Sequence, residues 1–132
     1  MLNYPVKVLL AFGETFSGNT ELHDWLLKNG YPELGALSSA IRGSDEALVW
    51  LMKNGFRELA ALDSAIDDNE KAYNWLRLNK HFFLAAFSDA CHNQQEAVAW
   101  FTKNDLKIFL AIAAKIRFFR DNQTFDHHKL HF

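Results

Sequence analysis

The residue types that could do chemistry lie in two short stretches. Cys91-His92-Asn93 sets the side chains of a cysteine hydrolase side by side. Such a site is assembled from residues distant in sequence, because thiolate, activating imidazole and orienting amide must face one another across a cleft. Cys91 also falls in a column with Ile41, Ile66 and Ile116, spaced 25 residues apart, so a small buried hydrophobe is the expected role. The second stretch, His127-His128-Lys129-Leu130-His131, puts His127 and His131 on one face if it is helical, where two imidazoles can share a metal. Asp126 alone stands near as a further ligand, and a loose tail is the simpler expectation. "AFGETFSG" (Ala11 to Gly18) lacks the lysine and the glycine spacing of a phosphate-binding loop. The paired carboxylates Asp67 and Asp68 sit between helices, where capping explains them. The expectation is therefore no catalytic residue, no cofactor and no metal site.

The whole chain narrows the classes further. Its 132 residues suit one domain with a core of its own, and one cysteine excludes an internal disulfide. With no leader pattern, the single thiol points to a reducing, cytoplasmic setting. "VKVLLAFG" (Val6 to Gly13) is far short of the roughly 20 apolar residues that span a bilayer, so no membrane partner is expected. A net charge of -2 argues against nucleic acid, whose binders are usually strongly basic.

What must position any site is a repeat. Trp25, Trp50, Trp75 and Trp100 recur every 25 residues without a gap. Next to them run Leu26, Leu51, Leu76 and Phe101, then Asn29, Asn54, Asn79 and Asn104. A second block carries Leu9, Leu34, Leu59, Leu84 and Phe109, and three residues on Phe12, Leu37, Leu62, Phe87 and Ile112. Within each block the apolar residues fall on one face at the helical period. Gly43-Ser44-Asp45, Asp67-Asp68-Asn69 and His92-Asn93-Gln94 break one helix and cap the next, while Asn29-Gly30 and Asn54-Gly55 suit a left-handed stop. Helices this short are marginal alone, since isolated ones under roughly 12 to 15 residues seldom hold in water. They must stack. The expected fold is all-α: a right-handed α-solenoid of four to five stacked helix-turn-helix units in one domain, 1–132. The units run about 7–31, 32–56, 57–81, 82–106 and 107–132, the last an irregular cap. Trp50 reads as the wedge between units, with a cost of about 3 to 5 kcal/mol on truncation.

From Ala40 to Gly55, "AIRGSDEALVWLMKNG" resembles the helical part of an ankyrin repeat. The likeness lies in Ala40, Gly43, Glu46, the pair Trp50 and Leu51, and the closing Gly55. Ala65 to Lys80 and Ala90 to Asp105 keep the length without the glycines. Ankyrin repeats run to about 33 residues and open with a Thr-Pro-Leu-His signature and a β-hairpin finger, which this chain lacks. The resemblance, over about residues 9 to 120, implies an ankyrin-like stack without fingers that binds proteins and has no chemistry of its own.

Subtracting the core columns leaves the first-helix face. One column is Gly13, Ser38, Asp63, Ser88 and Ala113, the next Glu14, Ser39, Ser64, Asp89 and Ala114, and a third Ser17, Arg42, Asp67, His92 and Arg117. Small residues there either let a partner approach or merely let neighbouring helices pack. The candidate partner-binding residues are Ser39, Arg42, Asp63, Ser64, Asp67, Ser88, Asp89, His92 and Arg117, serving a non-enzymatic protein-interaction scaffold. The alternatives are an enzyme or a small-molecule or metal-binding protein with its site near the His-rich tail, and a homo-oligomer built through Phe118, Phe119, Phe125 and Phe132, which otherwise cap the last unit. Charge is uneven: residues 33–70 carry -5 and residues 103–132 carry +3, a gradient suited to steering a partner or to head-to-tail association.

Overall fold

The structure, a computed structural model, describes residues 1–122. Within them the chain is all-helical: α1 (Val6–Glu14) with a 3₁₀ turn (Thr15–Ser17), α2 (Thr20–Lys28), α3 (Pro32–Ile41), α4 (Asp45–Lys53), α5 (Arg57–Ile66), α6 (Glu70–Leu78), α7 (Phe82–Cys91), α8 (Gln95–Lys103) and α9 (Lys107–Asp121). None of these helices is long and apolar enough to cross a membrane. The odd-numbered helices hold most of the buried residues, four to eight each against one or two in each even-numbered helix. Of the even-numbered ones, α2, α4 and α6 start on side-chain caps, with Asn19, Ser44 and Asn69 accepting from the backbone N–H three residues on, while α8 starts at Gln94 without one.

The even-numbered helices all end alike, and this ending accounts for two of the recurring columns. Asn29, Asn54, Asn79 and Asn104 donate their side-chain Nδ2 to the carbonyl of the tryptophan four residues earlier, at 2.7 to 2.9 Å. The backbone then takes a left-handed step at Gly30, Gly55, Lys80 and Asp105. The following N–H, of Tyr31, Phe56, His81 or Leu106, returns to the carbonyl of Leu26, Leu51, Leu76 or Phe101 at 2.8 to 3.0 Å. This is a Schellman motif, which is commonly sealed by an apolar contact across the turn. Here the seal is aromatic. Trp25 stacks on Tyr31, Trp50 on Phe56 and Trp75 on His81, with ring centroids 5.6 to 6.3 Å apart. Trp25, Trp50 and Trp75 are thus helix-end seals, half-buried against the edge of the core, and Trp50 stacks within its own unit rather than standing as a wedge between units. The neighbouring column, Leu26, Leu51, Leu76 and Phe101, is the one without solvent exposure.

The left-handed step explains the early glycines and what replaces them. Lys80 adopts φ 63° where Gly30 and Gly55 adopt 90° and 86°. A side chain with a Cβ is strained there by about 1 kcal/mol. Lys80→Gly is accordingly expected to raise the stability by about 1 kcal/mol, read from the urea midpoint at constant m. An unchanged midpoint would mean that the lysine side chain makes a compensating contact.

The units do not run on as an open row. Each odd-numbered helix packs on the next, from α1 through α3, α5 and α7 to α9, and α9 packs back on α1. Five helices form a closed inner ring. Each of α2, α4, α6 and α8 lies outside, against the two inner helices that flank it. At the seam Lys115 Nζ pairs with Glu14 at 3.1 Å, Phe119 meets Phe16 at 6.4 Å between centroids, and Gly13 lets α1 approach Ile112. An open stack leaves its first and last units with one neighbour each, and their outer faces meet water. Here the curvature brings the two ends together, so the first and last units cover each other.

Candidate functional site

Ring closure decides where the candidate residues go. The column Gly13, Ser38, Asp63, Ser88 and Ala113 faces inward and is wholly buried, so it is packing surface and not a continuous binding groove. Ser64 is buried with it. In the next column Ser39 and Asp89 stay half-buried at the mouths of clefts between units.

The third column gathers at one rim of the ring, and most of its members bond within the molecule. Arg117 Nη1 donates to Ala90 O at 2.9 Å. Arg42 Nε donates to Ser38 Oγ at 3.2 Å, and Ser38 Oγ donates in turn to Thr15 Oγ1 at 2.7 Å. Burial lowers the pKa of this guanidinium. His92 Nε2 lies 3.0 Å from Ile66 O and 2.9 Å from Asp68 Oδ1. Both neighbours are acceptors, so Nε2 carries the hydrogen. Arg120 reaches over α7 to Asp68 at 3.1 Å and Asp67 at 3.8 Å. One base of the C-terminal stretch, Arg120, is thus folded onto the acidic stretch, and exposed pairs of this kind contribute only about 0 to 1 kcal/mol each.

Three of the candidates, Ser88, Asp89 and His92, are brought together in one cleft of about 670 Å³ between α5, α6 and α7. Ala65, Asp68, Asn69, Glu70, Tyr73, Asn74 and Gln94 complete its lining. Tyr73 Oη donates to Asp89 Oδ2 at 2.9 Å. Burial and this bond to a carboxylate push the phenol's pKa up. Ser88 Oγ is buried, 1% exposed as a residue, and has no hydrogen-bond partner.

A smaller cleft of about 170 Å³ lies 50 residues earlier in the pattern, lined by Thr15, Gly18, Asn19, Thr20, His23 and Arg42. Each of these has its counterpart in the larger cleft. His23 Nε2 meets Ser39 Oγ at 2.9 Å, as Tyr73 meets Asp89. In the intervening units the same positions hold Leu48 with Ser64 and Val98 with Ala114. Polar and apolar contacts between units thus alternate along the chain.

A third opening, of about 460 Å³, is apolar and lies between α1 and α2. Val6, Lys7, Leu10, Ala11, Glu14, Leu22 and Trp25 line it. Lys7 Nζ stands 5.5 Å from the Trp25 ring centroid. Sequence reasoning had no signal for this groove except position: Leu10 shares a column with Gly35, Ala60, Ala85 and Leu110.

Cys91 is buried, and burial raises its pKa well above the ordinary thiol value of 9.0, which removes the thiolate a nucleophile needs. His127, His128, His131, Phe125 and Phe132 lie outside the described residues. Of the other C-terminal aromatics, Phe119 packs on the core while Phe118 is 72% exposed on α9. Among the described residues no group of three or more His, Cys, Asp and Glu is placed to hold a metal ion. Compared with protein-family models, with curated proteins and with solved structures, the chain finds no significant match.

Proposed function

We propose that the protein is a non-enzymatic scaffold for protein-protein interaction, an ankyrin-like array of helical hairpins without fingers, curled on itself. Its partner supplies an amphipathic helix to the groove between α1 and α2. The observation that carries this is the exposure of Leu10 at 56%, in a column where Gly35, Ala60 and Ala85 are buried. On α3 the equivalent surface is covered by α2. Leu27 lies so close to Gly35 that a Cβ there would meet its Cδ2 at 2.6 Å, and His23 Nε2 bonds Gly35 O at 3.1 Å. Among the described residues no outer helix does the same for α1. The helix that covers α3 shows what fits: an apolar residue over the groove floor, Leu27, a polar one four residues earlier at its edge, His23, and a start capped by Asn19. This is helix-in-groove recognition, with anchors at one-turn spacing.

A peptide spanning Asn19 to Tyr31, which carries the α2 helix and its cap, serves as the probe. It is expected to shift the amide resonances of Val6, Leu10 and Trp25 saturably. Leu10→Glu should weaken that binding by about tenfold or more, because the carboxylate would be desolvated against an apolar guest. Equal binding to the native chain and the variant would overturn the proposal.

A further inference from the structure

The two polar clefts share one plan, but in the first a guanidinium of the chain itself, Arg42, bonds the serine pair, while in the second the nearest one, Arg120, is engaged at the rim by Asp68. In the first cleft Arg42 turns inward, and its guanidinium donates to Ser38 Oγ at 3.2 Å and approaches Ser39 Oγ at 3.5 Å. In the second cleft Ser88 keeps the place of Ser38, and the residues around it have changed. His92 stands in the place of Arg42 and turns away to Ile66 O and Asp68. Ala65 stands in the place of Thr15, so Ser88 lacks the hydroxyl that Ser38 bonds. The space grows from about 170 to about 670 Å³. Ser88 Oγ is left buried without a partner, and Asp89, with a formal charge, replaces Ser39. A buried hydroxyl without a partner is costly, and its presence beside an open cleft marks a place built for a guest.

We infer that the cleft between α5, α6 and α7 binds an external guanidinium group, seated where Arg42 sits in the first cleft and donating to Ser88 Oγ and to the Asp89 carboxylate. Tyr73 Oη occupies Asp89 Oδ2 and holds the carboxylate in place, which leaves its other oxygen to the guest. Arg120 and His92 already pair with Asp68, so the negative field left for a guest comes from Asp89 with Glu70, and His92 is the one basic side chain among the lining residues. A planar group with several N–H donors matches a hydroxyl beside a carboxylate better than a compact ammonium does. The guest is either a free guanidino compound or the arginine side chain of another protein. This site is separate from the α1 groove, and its failure leaves the reading of that groove untouched.

The test is calorimetric titration of the full chain with agmatine, with cadaverine as the ammonium control, and with the peptides acetyl-Gly-Arg-Gly-amide and acetyl-Gly-Lys-Gly-amide. Guanidinium probes are expected to bind saturably and at least about tenfold more tightly than their ammonium counterparts. Ser88→Ala and Asp89→Asn should each weaken binding about tenfold, as loss of one bond to a charged group does. His92→Arg restores the side chain found in the first cleft and should abolish binding by filling the site from within. Circular dichroism of each variant confirms that it is folded. Tighter binding of the arginine peptide than of agmatine assigns the guest to a protein chain, and the reverse order assigns it to a small molecule. Absence of saturable binding, equal binding of ammonium probes, or undiminished binding by a folded His92→Arg variant would each overturn the inference.

Discussion

Phe101→Ala is expected to lower the unfolding free energy by about 3 to 5 kcal/mol, while Trp100→Ala, the larger deletion next to it, should cost only about 1 to 2 kcal/mol. Phe101 has no solvent exposure and meets Phe83 at 5.6 Å and Phe109 at 6.1 Å, so its loss leaves a cavity bounded by two inner helices that cannot collapse independently. Trp100 is 43% exposed. The residue six positions on, which gives the other three tryptophans a ring to stack on, is Leu106. What Trp100 retains is edge contact with Phe83 and Phe101, worth about 0.5 to 1.5 kcal/mol per pair beyond area. Against a total stability of about 5 to 15 kcal/mol, the first substitution endangers the fold and the second does not. Urea midpoints for the two variants are the measurement. Equal losses would return the tryptophans to the centre of the structure.

Gly13→Leu is expected to cost about 3 kcal/mol, and its effect should concentrate in α9, at the other end of the described chain. A Cβ at this position would already stand 3.3 Å from Ile112 Cγ1 and 3.4 Å from Lys115 Cδ. Three further carbons have nowhere to go without separating α1 from α9, and overpacking of this kind typically costs about 1 to 3 kcal/mol. Gly13→Ala behaves differently. The added methyl group sits at tight contact, but alanine gains up to about 1 kcal/mol of helix propensity over glycine, so this variant should remain within about 1 kcal/mol of the native protein. Amide hydrogen exchange over Lys107 to Asp121 is the discriminating readout, because loss of the seam exposes α9 before the other helices. A Gly13→Leu protein as stable as the native one, with α9 equally protected, would show that the ring is not closed.

The helical character of the chain was legible because it depends on nearest neighbours, and a gapless period states those directly. The buried column through Leu51 and the stop at Asn54-Gly55 follow from spacing alone. Trp50 is harder to read. Burial of large aromatics is a sound default, and the signal that overrides it lies six residues on, in the aromatic column Tyr31, Phe56 and His81. That column, following Asn and a left-handed residue, spells a sealed helix end. The inward turn of Ser38, Asp63 and Ser88 was not legible, because a period specifies that successive contacts are equivalent and leaves the angle between units free. A small change in that angle separates an open row from a ring. The large cleft was legible only by comparing units two apart. His23 against Tyr73, and Arg42 against His92, change together at positions that Leu48 and Asp67 interrupt.

Closure has a consequence for how such a chain can change its length. An open array tolerates another unit at either end or in the middle, since each added hairpin finds the neighbour it needs. A ring has a fixed number of places. A further hairpin between α4 and α5 would carry α9 past α1, uncover Gly13 and Ile112, and separate Lys115 from Glu14. A unit added inside the ring would have to be absorbed by a different angle between all the units, or the seam would open.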